Sequence, residues 1–213
     1  MNNIDLKEII EAKSPAYFNR YPDFISNIIL GALNRFIRLN DINAFLEKHS
    51  DKRDLEFIDT LFEHIDFGYL ISNIDRDKIP ADGKLICVAN HPLGALDGLA
   101  ILKAISEIRR DVKIVANDVL MRIENLRDLF LPYDLYSKKV QRKQVDNIRQ
   151  SLLNEEAIIF FPASEVSRLS LRGIHDRKWM NGPIYFAQKY QAPILPICVN
   201  AKNSTIFYIT SFF

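Results

Sequence analysis

The chain has 213 residues, 48% hydrophobic and 26% charged, with 28 Lys+Arg against 27 Asp+Glu and a formal net charge of +1. Such a composition excludes a disordered chain, a collagen-like chain and a small disulfide-stapled scaffold. The balanced charge excludes a general polyanion binder, so attraction to an anionic partner has to come from local patches.

Residues 1–6 show no basic stretch running into an apolar one, and no secretion signal is expected. Residues 1–66 are predicted to form a helical N-terminal cap. Ile25, Ile28, Ile29, Leu33 and Phe36 recur at helical spacing within Phe24 to Leu39, a shorter helix covers Ile42 to Lys48, and Leu55, Ile58, Leu61, Phe62 and Ile65 follow a cap at Ser50 or Asp51. At 16 residues, broken by Asn27, Asn34, Arg35 and Arg38, Phe24 to Leu39 falls short of the ~20 needed to span a bilayer. Phe24, Leu30 and Ile37 lie off its core-facing stripe. That surplus predicts peripheral membrane contact, with Arg35 and Arg38 reaching head groups.

From Lys84 short apolar runs alternate with helical patterns. Strands are predicted at Leu85 to Ala89, Val112 to Ala116, Ala157 to Phe161 and Ile194 to Val199. Helices are predicted at Leu96 to Ile108, Val119 to Phe130, Lys138 to Leu153 and Trp179 to Tyr190. The fold class is α/β, a mostly parallel mixed sheet flanked by helices, over residues 67–213. No linker separates it from the cap, and one structural unit is expected. Cys87 and Cys198 both sit in the apolar runs and are read as free thiols of buried strands in a reducing compartment.

The first predicted strand runs into Asn90-His91-Pro92-Leu93-Gly94-Ala95-Leu96-Asp97-Gly98. In an open α/β sheet ligands bind beyond the carboxyl ends of the strands, where the next helix points its amides. A His91 oriented there by Asp97 can take a proton from a hydroxyl or amine near neutral pH. The same spacing also fits a plain helix N-terminus with a solvated histidine.

This segment resembles the first signature block of the glycerolipid and lysophospholipid acyltransferase superfamily, in the spelling of the hemolysin-like or ornithine-lipid-type N-acyltransferase branch. Five residues separate His91 from Asp97, where the wider superfamily has four. Phe130-Leu131-Pro132-Tyr133-Asp134 is similar to the second block, Phe160 to Arg168 to the third, and Ala192-Pro193-Ile194-Leu195-Pro196-Ile197 to the fourth. The resemblance covers residues 80–208 and implies an acyltransferase-like fold, with this chain truncated at its C-terminus relative to the family. It implies transfer of a fatty acyl group from acyl carrier protein or acyl-CoA to a lysolipid or amino-acid-lipid acceptor by direct attack. His91 would be the general base and Asp97 its orienting partner, with Asn90, Gly94, Asp134, Pro162, Ser164, Glu165 and Arg168 binding substrate. The implied setting is cytoplasmic, on the inner face of the cell membrane, with a lipid acceptor and no nucleic acid.

One position departs from the branch: Ser164 stands where glycine is expected, and glycine at such a turn signals positive φ or a close backbone approach. Ser164 also suggests an esterase, although Ala163 and Val166 deny it a Gly-x-Ser-x-Gly elbow. A non-catalytic lipid-binding module of the same fold is the other alternative. Arg168 is the candidate holder of the acceptor's anionic group, since a guanidinium binds carboxylate or phosphate bidentately, while Arg172, Arg177 and Lys178 read as a solvated basic loop. Lys138, Lys139, Arg142 and Lys143 crowd a helix start where the macrodipole disfavours cations, a pattern that suits an acidic carrier protein or anionic lipid as well as plain solvent. No metal-ligand spacing and no phosphate-binding glycine loop occurs, so neither metal nor nucleotide cofactor is expected.

Overall fold

The structure is a computed structural model that describes residues 4–13, 22–133, 142–170, 173–205 and 207–208. The chain divides into two compact units, Met1–Phe57 with Asp118–Asp128, and Ile58–Asn117 with Leu129–Phe213.

The first unit holds α1 (Leu6–Lys13), α2 (Asp23–Phe36), α3 (Leu39–Lys48), the first turn of α4 (Asp54–His64) and 3₁₀ turns within Asp118–Asp128. Helix α2 stops where Arg38 takes a left-handed φ of 55°, with its guanidinium on Asp41 at 2.6 Å. The stripe expected to face the core is corrected here. Ser26 and Leu30 are the buried residues of α2, whereas Phe24, Ile28 and Phe36 are each more than 60% exposed. The helix expected over Val119 to Phe130 is instead two 3₁₀ segments, Asp118–Arg122 and Glu124–Leu129, followed by a strand. Its amides reach back three residues, Ile123 to Leu120 and Leu126 to Ile123, and the fully buried Asn125 donates to the carbonyls of His49 and Lys52. Tying that side chain to another segment outweighs helical propensity.

In the second unit α5 (Asn73–Arg76) precedes β1 (Leu85–Ala89), α6 (Ala95–Ser106), β2 (Val112–Ala116) and β3 (Phe130–Pro132). Then come α7 (Arg142–Leu153), β4 (Ala157–Phe160), β5 (Arg168–Ser170), β6 (Gly173–His175), α8 (Gly182–Tyr190) and β7 (Ile194–Ile197). The main sheet runs β3-β2-β4-β1-β7, and every described pair in it is parallel, so all its carboxyl ends lie along one edge. Side-chain alternation sorts the core into two layers. Ile86, Ile158 and Phe160 pack with Ile148 and Leu152 of α7 and Phe186 of α8. Cys87, Ile159 and Ile114 form a row in register on the opposite face, where a Cβ on Gly98 of α6 would come within 3.0 Å of Ile114 Cδ1. Strands β1 and β4 are buried on both faces, which explains why they read as continuous apolar runs rather than alternating ones.

Arg168–Ser170 and Gly173–His175, read in the sequence as a basic loop, form an antiparallel pair. Three-residue strands with exposed side chains leave no hydrophobic period to detect. Helix α8 begins at Gly182 rather than at Trp179, because Pro183 suits a first helical turn. Cys198 is exposed beyond the edge strand β7, contrary to its expected burial, and both thiols are free. Lys138 and Lys139 lie outside the described residues.

Candidate active site

The chain leaves β1 at Ala89, in the interior of the sheet between β4 and β7. Asn90 ties this strand end to the β7 side, its amide donating to Val199 O at 2.9 Å and its Oδ1 accepting from Val199 N at 2.7 Å. The next residue, His91, is thereby delivered at the carboxyl edge. A sharp turn follows, in which Gly94 caps α6 with φ 82° and ψ −125°, a conformation that side-chain-bearing residues rarely adopt. A Cβ at Gly94 would also meet Val166 Cγ2 at 3.1 Å.

This turn folds Asp97 back under the histidine. Asp97 Oδ1 lies 2.8 Å from His91 Nδ1, and Oδ2 accepts the backbone N–H groups of Leu93 at 2.7 Å and Gly94 at 3.2 Å. The Asp97 side chain is fully buried and that of His91 is 18% exposed. With both carboxylate oxygens used as acceptors, the imidazole donates through Nδ1 and leaves Nε2 as its basic nitrogen. The ring stacks on Phe161, the first residue after β4, with centroids 4.0 Å apart. Such a pair can take a proton at Nε2 and hold the resulting imidazolium beside a buried carboxylate. The five-residue separation of His91 and Asp97 does not keep them apart.

The turn after β4 is built differently. Pro162 is buried and its carbonyl accepts from Met180 N at 3.0 Å. Ser164 has φ 61°, so the position does require the left-handed conformation that glycine would take most readily. Its hydroxyl lies against Met180 Sδ at 4.0 Å, which gives the serine-nucleophile alternative no support. Glu165 carries two guanidiniums, Arg168 at 3.0 Å and Arg177 at 2.8 Å. Arg177, read in the sequence as solvated, thus joins Arg168. It also lines an open depression of about 470 Å³ with Asn90, Pro92, Ser167, Ile174 and Trp179. Asp134 lies outside the described residues, and Asn90 is engaged by Val199 as well as lining the depression. Burial pushes the Cys87 thiol up to about 12, which makes it no nucleophile.

Sequence reasoning did not foresee the ring contact of Phe161, or the pins that Ser167 and Asp176 place on His91. Ser167 N donates to His91 O at 2.8 Å, and Asp176 Oδ1 lies 3.4 Å from His91 N. Both partners belong to segments remote in the chain, and nothing in their local pattern announces them. Among the described residues no cluster of His, Cys, Asp or Glu has the arrangement of a metal site.

A parallel α/β sheet that presents a histidine–aspartate pair at its carboxyl edge is the framework of an enzyme. The sequence model of the family described as Acyltransferase matches residues 8–212, and the chain belongs to that family and is an acyltransferase. The resemblance read from the four blocks is borne out at the level of a lipid acyltransferase family. The chain is 28% identical over 208 residues to the lyso-glycine lipid O-acyltransferase of Bacteroides thetaiotaomicron, covering 96% of this chain and 73% of that protein. It is 25% identical over 206 residues to the lyso-glycine lipid O-acyltransferase of Phocaeicola vulgatus, covering 96% of this chain and 71% of the relative. No solved structure matches the chain.

Proposed function

We propose that the protein moves a fatty acyl group from a thioester donor, acyl carrier protein or acyl-CoA, onto the hydroxyl of a lyso-lipid with an anionic head group. The observation that carries this reading is the 2.8 Å contact of His91 Nδ1 with the buried Asp97, which turns Nε2 outward as a base. Nε2 takes the acceptor's hydroxyl proton as the oxygen attacks the thioester carbonyl. The carbon–sulfur bond then breaks, and the leaving thiolate takes the proton back. No acyl-enzyme is needed, because a thioester is already activated and proximity with proton removal supplies the rest.

The names of the two relatives favour a hydroxyl acceptor over an amine and a lyso-glycine lipid as the acceptor class. A glycine head group with its nitrogen acylated presents a carboxylate. Arg168 and Arg177 suit that group, since both pair with the shared Glu165, from which an incoming carboxylate can draw them. Among the described residues no helix is long and apolar enough to cross a membrane. The exposed Phe24, Ile28 and Phe36 of α2, with Arg35 near its end, support peripheral contact with an anionic bilayer at the cytoplasmic face.

The test is thiol release from acyl-CoA and from acyl carrier protein, with and without lyso-glycine lipid in anionic liposomes. Release that requires the acceptor and yields the O-acylated lipid is expected, with co-sedimentation that weakens in the Ile28→Ser, Phe36→Ser variant. Thiol release without acceptor would make the protein an esterase and overturn the transferase reading.

A further inference from the structure

His91 sits past the last ladder bond of β1, where no sheet partner fixes its backbone. What holds it is a second carboxylate. Asp176 follows β6 on the way to α8, and its Oδ1 accepts the Ser167 hydroxyl at 2.5 Å and faces the His91 amide at 3.4 Å. Ser167, buried at 5% exposure, returns its own amide to the His91 carbonyl at 2.8 Å. Asp176 Oδ2 accepts from Trp179 Nε1 at 3.0 Å. Both backbone polar groups of His91 are thus met from the β4–α8 segment, while Asn90 meets Val199 on the other side.

We propose that Asp176 is a positioning residue for acyl transfer: through Ser167 and the His91 amide it sets where the His91 imidazole stands over the acceptor. The proposal rests on the reading of His91 as the general base. Asp97 and Phe161 fix the ring's tilt, but neither fixes the backbone from which the ring hangs. A base displaced by about 1 Å loses on the order of a hundredfold in rate while substrates still bind. Arg177, the next residue, and Trp179 line the depression beside the turn. One loop therefore carries both an arm for the head group and the pin on the base.

The experiment compares Asp176→Ala, Asp176→Asn and Ser167→Ala in steady-state kinetics, thermal melting and ¹⁵N-histidine NMR, where four histidines give a resolvable spectrum. Asp176→Ala is expected to lower kcat about 10- to 100-fold, leave the KM of the thioester donor within about twofold, and shift the His91 ring signals. Asp176→Asn keeps an acceptor oxygen for Ser167 and the His91 amide, and is expected to recover most of kcat and the wild-type His91 signals. Wild-type kcat in a folded Asp176→Ala protein would overturn the proposal, as would a lowered kcat with unmoved His91 signals. If Asp176→Ala fails to fold, Ser167→Ala decides in the same way, by a lowered kcat with shifted His91 signals or by neither. Activity retained in His91→Ala would remove the base, and the proposal with it. Loss in His91→Ala beside wild-type kcat in Asp176→Ala would remove this proposal alone.

Discussion

The turns that follow β1 and β4 lie at neighbouring carboxyl ends of one parallel sheet, yet they use charge in opposite ways. After β1 the Asp97 side chain is fully buried and accepts from the imidazole and two backbone amides. After β4 the guanidiniums reach into water, with side chains 50% exposed at Arg168 and 65% at Arg177, around a shared Glu165 that is 24% exposed. A pair with its cation in solvent is screened and exchanges more easily, whereas stripping partners from a fully buried carboxylate costs more. On the proposed mechanism the first turn is preorganised for proton transfer. On the same reading the second is a set of charges ready to change partners when the proposed anionic acceptor arrives.

The sharpest way to break this division is to remove the proposed base. His91→Ala is expected to lower kcat by about 10² to 10⁴ and to cost about 1–3 kcal/mol in stability, since it removes the stacked contact with Phe161 and leaves the buried Asp97 Oδ1 without its imidazole donor. Asp97→Asn should lose less activity and also lose stability, because the buried acceptor that receives Leu93 and Gly94 amides is weakened. Activity in His91→Ala within a few-fold of wild type would dissolve the contrast between the turns.

The next effect is conformational. Gly94→Ala is expected to cost about 1–3 kcal/mol in chemical denaturation, from a disallowed backbone conformation and the contact with Val166 Cγ2 at 3.1 Å. Ser164→Gly, at φ 61°, should move stability by less than about 1 kcal/mol, since relief of the left-handed strain is offset by a more flexible unfolded chain. Similar costs at both positions would mean that the two turns are equally rigid.

The smallest effect tests the binding side. Arg168→Ala is expected to raise the acceptor KM about tenfold, roughly 1.4 kcal/mol, and to leave the donor KM unchanged. Arg177→Ala should act in the same direction, because both guanidiniums share Glu165. Equal changes in the donor and acceptor constants would take Arg168 out of acceptor recognition.

Much of this architecture was legible in the amino-acid order. Leu85 to Ala89, Val112 to Ala116 and Ala157 to Phe161, the last one residue longer than the strand itself, were readable as strands because a largely covered sheet demands apolar runs, and the helices between them keep their own period. Phe130–Pro132 was hidden inside an apparent helix, and the Arg168–Ser170 and Gly173–His175 pair was hidden in a basic loop, because strands of three residues are too short to show a period. The face of α2 was misread since its apolar residues nearly encircle it, and packing within its own unit chose Ser26 and Leu30 as the buried side.

The histidine–aspartate pair divides in the same manner. His91, Asp97 and the turn between them are local, so a glycine cap and a carboxylate six residues on already determined that ring and carboxylate could meet. The stacking of Phe161, the grip of Ser167 and Asp176, and the joining of Arg177 to Arg168 through Glu165 depend on which strands lie side by side. That placement is set by burial summed over the whole sheet. Non-directional hydrophobic packing leaves a residue-by-residue pattern for each strand but none for its neighbours, so the choice of β4 and β7 as the partners of β1 belonged to the tertiary structure.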